Sequence, residues 1–250
     1  MNPKRRSVLI TGGGGGIGLS IAREFLGSGA AVGLLDRDLD GLRRAANELA
    51  NQFPGARVFV APADVRDDIA LRQAVEELVT SLGGLDTLIV NAGVMSRVVL
   101  EDLDASTLAE TLDINVLGAY RTVVASLPSL KRSASSASIV TIASAGGLNP
   151  RSITGPAYRV SKAALIALTK VLAVELLSDG IRVNCVAPGG VEGGMSTAFS
   201  RDELRAMREA ALECRLATTE EIARSTVFLA GSESSFTTGH VLVVAGGAFI

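Results

Sequence analysis

Tyr158 and Lys162, in the run YRVSK, stand four residues apart. On a helix that spacing puts both side chains on one face, about 6 Å apart along the axis. A phenol titrates near ~10 in water. An ammonium ion beside it favours the phenolate and lowers that value, which makes the tyrosine usable as a general acid or base toward a hydroxyl or a carbonyl. Tyrosine and lysine at this spacing are also common on ordinary helix surfaces, so the pair needs company. Ser144 supplies it. It ends the apolar run in IVTIASAGG, fourteen residues before Tyr158, far enough for a loop to bring its hydroxyl to the same substrate oxygen. Asn115, in LDINVLG, sits inside a long helical pattern where propensity gives no reason for asparagine. It is either a satisfied polar group of the core or the residue whose carbonyl holds a water linking Lys162 to solvent.

Positioning these groups requires a scaffold, and the apolar runs outline one. They fall at 7–10, 30–35, 58–61, 85–90, 138–143, 181–187 and 240–245. Most are continuous rather than alternating, as strands covered on both faces must be. Between them, Leu39, Leu42, Ala46, Leu49 and Phe53 recur at helical spacing, as do Leu71, Val75, Leu78 and Leu82. YRVSK opens a helical stretch running to about Leu177, and Thr218 with Glu221 offers a capping box before another. Strand, helix, strand repeated along the chain implies parallel strands joined by right-handed crossovers. The stretch KRSASSAS at 131–138 reads as a surface loop, and no linker divides the chain. The expectation is a single α/β domain over 1–250, doubly wound and Rossmann-like, with a mostly parallel seven-stranded sheet.

The first strand runs into five glycines, Gly12 to Gly16. In a doubly wound fold this strand-to-helix turn aims free N–H groups at one point beside a helix N-terminus, and glycine lets a pyrophosphate approach. Two registers fit: Gly13-x-Gly15-x-x-Gly18, and the wider Thr11-Gly12-x-x-x-Gly16-Ile17-Gly18. Asp36 ends the second strand twenty residues beyond Gly16, where a carboxylate meets an adenosine ribose. Three further turns, ADV at 63–65, NAG at 91–93 and APGGV at 187–191, end at the same carboxyl edge and together make a cleft rim.

Composition narrows the class. Net charge is −2 and the basic residues are scattered, which disfavours nucleic acid and anionic membranes as partners. The run after MNPKRR is too short for a signal core or a membrane span. Cys185 and Cys214 fit no metal-ligand spacing and read as reduced core thiols. A cytoplasmic protein with no bound metal is expected. The lone His240 begins the last strand and reads as structural.

TGGGGGIG, NAG, IASAGG, YRVSK and APGGV, in this order and at these intervals, resemble the short-chain dehydrogenase/reductase family. The likeness covers essentially the whole chain, including SSFTTGHVLVVAGG near its end. It implies a nicotinamide-dependent alcohol dehydrogenase or carbonyl reductase with Asn115, Ser144, Tyr158 and Lys162 as a catalytic tetrad. It also implies a cofactor site. Gly12, Gly15, Gly16, Ile17 and Gly18 would form the cradle, Asp64 and Val65 would hold adenine, and Asn91, Ala92 and Gly93 would back the ribose. Tyr158 and Lys162 would stand at the nicotinamide ribose, with Pro188, Gly189 and Val191 on the rim. Asp36 favours NAD(H), since a 2′-phosphate would face like charge, while Arg37 could cover such a phosphate and admit NADP(H). A 3-oxoacyl-type NADPH-dependent reductase is the alternative, and a regulator that binds cofactor without catalysis is a third reading. Family members are commonly tetramers through two long helices and the last strand, so a homotetramer is expected.

Two residues depart from the family pattern. Gly193 stands where threonine often holds the nicotinamide carboxamide, a hydrogen bond worth about 0.5–1.5 kcal/mol, and Ala245 stands where an aspartate is usual at a subunit contact. A substrate lid is expected over about 189–215. The other substrate-facing segments are 94–100 and 145–152, mainly apolar, with Asn149, Arg97 and Arg151 as polar candidates. An arginine there could hold a carboxylate or phosphate, or simply stand solvated on its loop.

Overall fold

The computed structural model describes residues 5–133, 137–149 and 152–248. Seven strands form one sheet: β1 (Ser7–Thr11), β2 (Ala31–Asp36), β3 (Val58–Pro62), β4 (Thr87–Val90), β5 (Ser138–Ile142), β6 (Arg182–Pro188) and β7 (Val241–Val244). Their order is β3-β2-β1-β4-β5-β6-β7, with every neighbouring pair parallel. The strands sit where the apolar runs place them. β1, β4 and β5 are buried along their whole length, whereas the edge strands β3 and β7 are mostly half-buried.

Alternate residues of β1 enter different cores. Leu9 joins Leu35, Leu78, Leu88, Ile139 and Leu165 on one side of the sheet. Val8 and Ile10 join Ile21, Phe25, Leu34, Leu49 and Leu229 on the other. The first side is covered by α3 (Asp68–Leu82), α5 (Gly118–Arg132) and α6 (Pro156–Glu175), the second by α1 (Gly16–Gly27), α2 (Leu39–Gln52) and α8 (Thr219–Ala230). On α2 the inward residues are Leu42, Ala45 and Leu49, while Leu39 is exposed and Ala46 only half-buried. The helix turns slightly off the face that apolar spacing alone suggests.

Local signals set several helix ends. Asp67 caps α3, its carboxylate accepting from the N–H groups of Ile69 and Ala70, and Gly83 ends it at φ 78°. The capping box of Thr218 and Glu221 starts α8 as expected. Pro156 occupies the first turn of α6, whose start therefore precedes Tyr158 by two residues. Between α4 (Ala105–Leu112) and α5, residues Asp113–Leu117 form a π-helical turn. The loop expected at 131–138 falls partly on 134–136, outside the described residues, as does Arg151.

Because β1 pairs with β2 on one side and β4 on the other, the crossovers diverge there. Such a switch point leaves a crevice at the carboxyl ends of the strands.

Candidate active site

A cleft of about 420 Å³ opens at that crevice. Its floor begins with the glycines. Gly12 and Gly16 have φ of 65° and 53°, the left-handed region that glycine alone enters freely. A Cβ on Gly12 would lie 2.7 Å from Asn91 Nδ2, and one on Gly18 only 2.2 Å from the Gly12 carbonyl oxygen. The wider register, Gly12, Gly16 and Gly18, is therefore the one the backbone requires. Gly15 differs: its φ of 174° suits any residue, and an added Cβ would meet nothing within 4 Å. It also begins α1 without a side-chain cap, whereas Asp67, Asp104 and Thr218 cap α3, α4 and α8. An uncapped helix start with no side chain in front suits an anionic group from outside the chain. The residues present thus fit a dinucleotide pyrophosphate.

Thr11, which sequence reasoning used only to set a register, staples the cradle. Its Oγ1 accepts from the N–H groups of Asn91 and Ala92, each at 3.0 Å. Asn91 Nδ2 in turn donates to the carbonyls of Thr11 and Gly12, both at 3.0 Å. At the carboxyl end of β2, the N–H groups of Gly14 and Asp38 both donate to the Asp36 carboxylate at 3.1 Å, which fixes its direction. Arg37 is exposed and makes no ion pair among the described residues. A smaller cavity beside it is lined by Asp36, Arg37, Asp64, Val65 and Ala92. The Asp64 carboxylate accepts from Arg66 through Nη2 at 2.7 Å, which holds its pKa below the usual range. An adenine amino group would have to share those oxygens.

The structure brings Ser144, Tyr158 and Lys162 into one cleft, with Asn115 directly behind. Ser144 ends the loop after β5, where its Oγ also accepts from the Gly146 N–H at 3.1 Å. Tyr158 is 8% and Lys162 3% exposed. Without cofactor, the ammonium does not offset the cost of burying the phenolate. Burial pushes the Tyr158 phenol up, the Ser144 hydroxyl being the opposing influence. Lys162, whose Nζ donates to the Ile142 carbonyl at 2.9 Å, is brought down by burial to about 8. Its Nζ stands 5.7 Å from the Tyr158 ring centre. Desolvation outweighs attraction, so further positive charge is needed to make the phenolate accessible.

Asn115 lies in the π turn, fully buried. Its Nδ2 donates to the Val94 carbonyl and Ser161 Oγ, and its Oδ1 accepts from the Val94 N–H. The side chain is committed. A water could therefore sit only on its backbone carbonyl, in a turn whose pairing is altered, the Gly118 N–H bonding to the Asp113 carbonyl five residues back.

The far wall comes from residues 188–199 and from α7 (Arg201–Glu209), which starts on a capping box of Ser200 and Glu203. Gly193 and Gly194 both have positive φ, 70° and 52°, so a threonine at 193 would be strained on this path. Arg97 does not face the cleft as a free cation. Its guanidinium donates to the Ala198 carbonyl, pairs with Glu203 and stacks 4.4 Å from the Phe199 ring centre. Cys214, expected in the core, is instead exposed, and only Cys185 is buried. Among the described residues no helix is long and apolar enough to cross a membrane.

A family model described as enoyl-(acyl carrier protein) reductase matches residues 13–248. Mouse L-fucose dehydrogenase is 36% identical over 96% of this chain and 87% of its own length. The 3-oxoacyl-[acyl-carrier-protein] reductase FabG of Chlamydia muridarum is 32% identical over 97% of this chain and 96% of its own. The chain belongs to the short-chain dehydrogenase/reductase family. A solved relative, a 3-oxoacyl-[acyl-carrier protein] reductase from Brucella melitensis with bound NAD, is 32% identical and superposes with a TM-score of 0.88 over 99% of this chain and 92% of that one. As a short-chain dehydrogenase/reductase, the protein is an NAD(P)-dependent oxidoreductase of alcohols and carbonyls. What sequence reasoning missed in its site is the clamp around Arg97 and the side chains of the far wall. The Ser200-x-x-Glu203 spacing was the available signal for α7.

Proposed function

We propose that this enzyme interconverts a secondary alcohol and its ketone, with Tyr158 as general acid/base and with NAD(H) preferred over NADP(H). The carrying observation is the convergence of Ser144, Tyr158 and Lys162 on the cleft that the glycine cradle opens into. When bound, the nicotinamide supplies the hydride acceptor or donor. In the oxidative direction the Tyr158 oxygen takes the proton from the alcohol hydroxyl, and Ser144 Oγ donates a hydrogen bond to that same oxygen. Lys162 bonds the nicotinamide ribose and favours the phenolate through its charge. A water on the Asn115 backbone carbonyl carries the proton onward. Asp36, already braced by two N–H groups, receives the adenosine ribose hydroxyls, with Asp64 and Val65 beside the adenine. Gly12, Gly15, Gly16, Ile17 and Gly18 take the pyrophosphate, Asn91, Ala92 and Gly93 back the ribose, and Pro188, Gly189 and Val191 form the rim.

We further infer that the whole chain works as one dinucleotide-binding and catalytic domain with residues 189–215 as its lid, in the cytoplasm. Exposed apolar residues such as Val171 and Val174 on α6 and Val243 on β7 support assembly into a homotetramer. A second reading, an NADPH-dependent 3-oxoacyl-type reductase, is favoured by the unpaired Arg37.

Tyr158→Phe keeps the ring and its packing but removes the oxygen. Turnover should fall at least the ~10²-fold typical of a lost general acid or base, with NADH binding, read by nucleotide fluorescence, nearly unchanged. A folded Tyr158→Phe protein with near-normal turnover would refute the assignment.

A further inference from the structure

Methionine is scarce in this chain: Met1, Met95, Met195 and Met207 are all there are. The three beyond the first residue come from separate segments, the loop after β4, the turn Gly194–Ala198 and α7, and all three line the cleft. Phe199 joins them. Met207 packs on the chain at Gly190, where an added Cβ would lie 3.5 Å from its sulfur. Unbranched and polarizable, methionine adapts its shape to apolar ligands of varied outline.

The charges around this wall point the same way. Arg97, on the loop after β4, is consumed by Glu203, Ala198 and Phe199. Lys162 is buried and bound to the Ile142 carbonyl. Glu192 lines the cleft and forms no ion pair among the described residues. Among the described residues, a carboxylate or phosphate would therefore find no free cation lining the cleft and would meet like charge at Glu192. The other hydroxyls lining the cleft are engaged: Thr154 Oγ1 with Ser152 Oγ at 3.1 Å, Ser196 Oγ with the Val191 carbonyl, and Thr219 Oγ1 with Ser20 and Glu220. Ser144 and Tyr158 remain, enough for one reacting oxygen. The Glu192 carboxylate could accept from one sugar hydroxyl, but those beyond its reach would be buried against methionine or phenylalanine, which is unfavourable.

We propose that the enzyme selects a neutral, largely apolar secondary alcohol or ketone, and rejects polyhydroxylated, carboxylated and phosphorylated ones. This rests on the oxidoreductase reading above, and it parts this chain from the sugar substrate in the mouse relative's name.

The test is initial-rate kinetics of the full chain at saturating cofactor. The substrates are 2-alkanols of increasing length, 1-phenylethanol, L-fucose and 3-hydroxybutyrate, together with the matching ketones. The kcat/KM of the alkanols should rise about fourfold per added methylene while the wall is being filled, with L-fucose and 3-hydroxybutyrate at least about 10²-fold below the best alkanol. Met195 is 44% exposed, so Met195→Gln can be made without opening the core. It should flatten the alkanol series while leaving the KM for cofactor unchanged, and Met207→Gln should flatten it further. A flat or falling series in the wild type, or a preference for L-fucose or 3-hydroxybutyrate, overturns the substrate class while leaving the oxidoreductase reading standing. No turnover of any alcohol or ketone, in a protein that still binds NADH, overturns both.

Discussion

The two ends of the sheet treat polar groups in opposite ways. At the amino ends of the strands the chain satisfies itself. Arg182 donates to the carbonyls of Leu229, Ala230, Gly231 and Thr237 and to Ser234 Oγ, closing the carboxyl end of α8. Arg6 reaches Thr87 Oγ1, Ser138 Oγ and the same Ala230 carbonyl, and the Ser7 N–H donates to Asp86 at 2.8 Å. At the carboxyl ends, α1 starts uncapped, the glycines carry no side chains, and a lysine is buried at the edge of a cleft. One end spends its hydrogen bonds on the fold. The other leaves groups unmet for a ligand, and its cost in stability is borne by the rest of the molecule.

The largest effect should come from Lys162→Met. Turnover should drop by at least about 10²-fold, yet the ligand-free protein should become more stable near neutral pH. Burial lowers Lys162 from 10.5 in the unfolded chain to about 8. The unfolded state therefore holds the proton more tightly, and the buried lysine subtracts stability, fully so below pH 8, by roughly 3 kcal/mol. That subtraction fades as pH rises from 8 toward 10.5, so the gap between variant and wild type should narrow across that window. Thermal melts at pH 7 and pH 10 would show it. A variant less stable than wild type at pH 7 would mean that the carboxyl end is not under the tension described.

At the opposite end, Arg182→Ala should cost about 3 kcal/mol in denaturant unfolding, because it strands several carbonyls at once. Activity per folded molecule should stay within a factor of about two, given the distance from the chemistry. A large loss of kcat/KM in the folded fraction would erase the distinction between the ends.

The smallest effect concerns cofactor choice. Asp36→Asn removes the charge while keeping an acceptor for the Gly14 or Asp38 N–H. Relief of repulsion between the carboxylate and a 2′-phosphate should move the NADP-to-NAD ratio of kcat/KM by about 10- to 100-fold toward NADP. An unchanged ratio would assign the choice to Arg37 instead.

The contrast between the ends also explains what could be read without a structure. Strands such as VLI in β1 and TLIV in β4 are continuous apolar runs because both faces are covered, so each strand announced itself. Tyr158, Lys162 and Ser144 were legible because helix spacing and strand ends are local properties. The π turn at Asp113–Leu117 was not, since shifting hydrogen bonds by one residue leaves the apolar pattern intact. Nor was the fate of Arg97, whose partner Glu203 lies 106 positions along the chain. The part burial plays in the titration of Tyr158 and Lys162 is likewise not a local property, since surrounding elements supply it.

The strand order has a consequence for how the molecule comes off the ribosome. After β1, the chain lays β2 and β3 outward on one flank, crosses back to set β4 against β1, then adds β5, β6 and β7 outward in turn. Among β2 to β7, β4 alone does not pair with its immediate predecessor. The glycine cradle, Asp36 and the Asn91 brace are thus all translated before Tyr158 exists. The cleft therefore cannot be complete until β5 and α6 are in place, although its glycine turn follows the first strand.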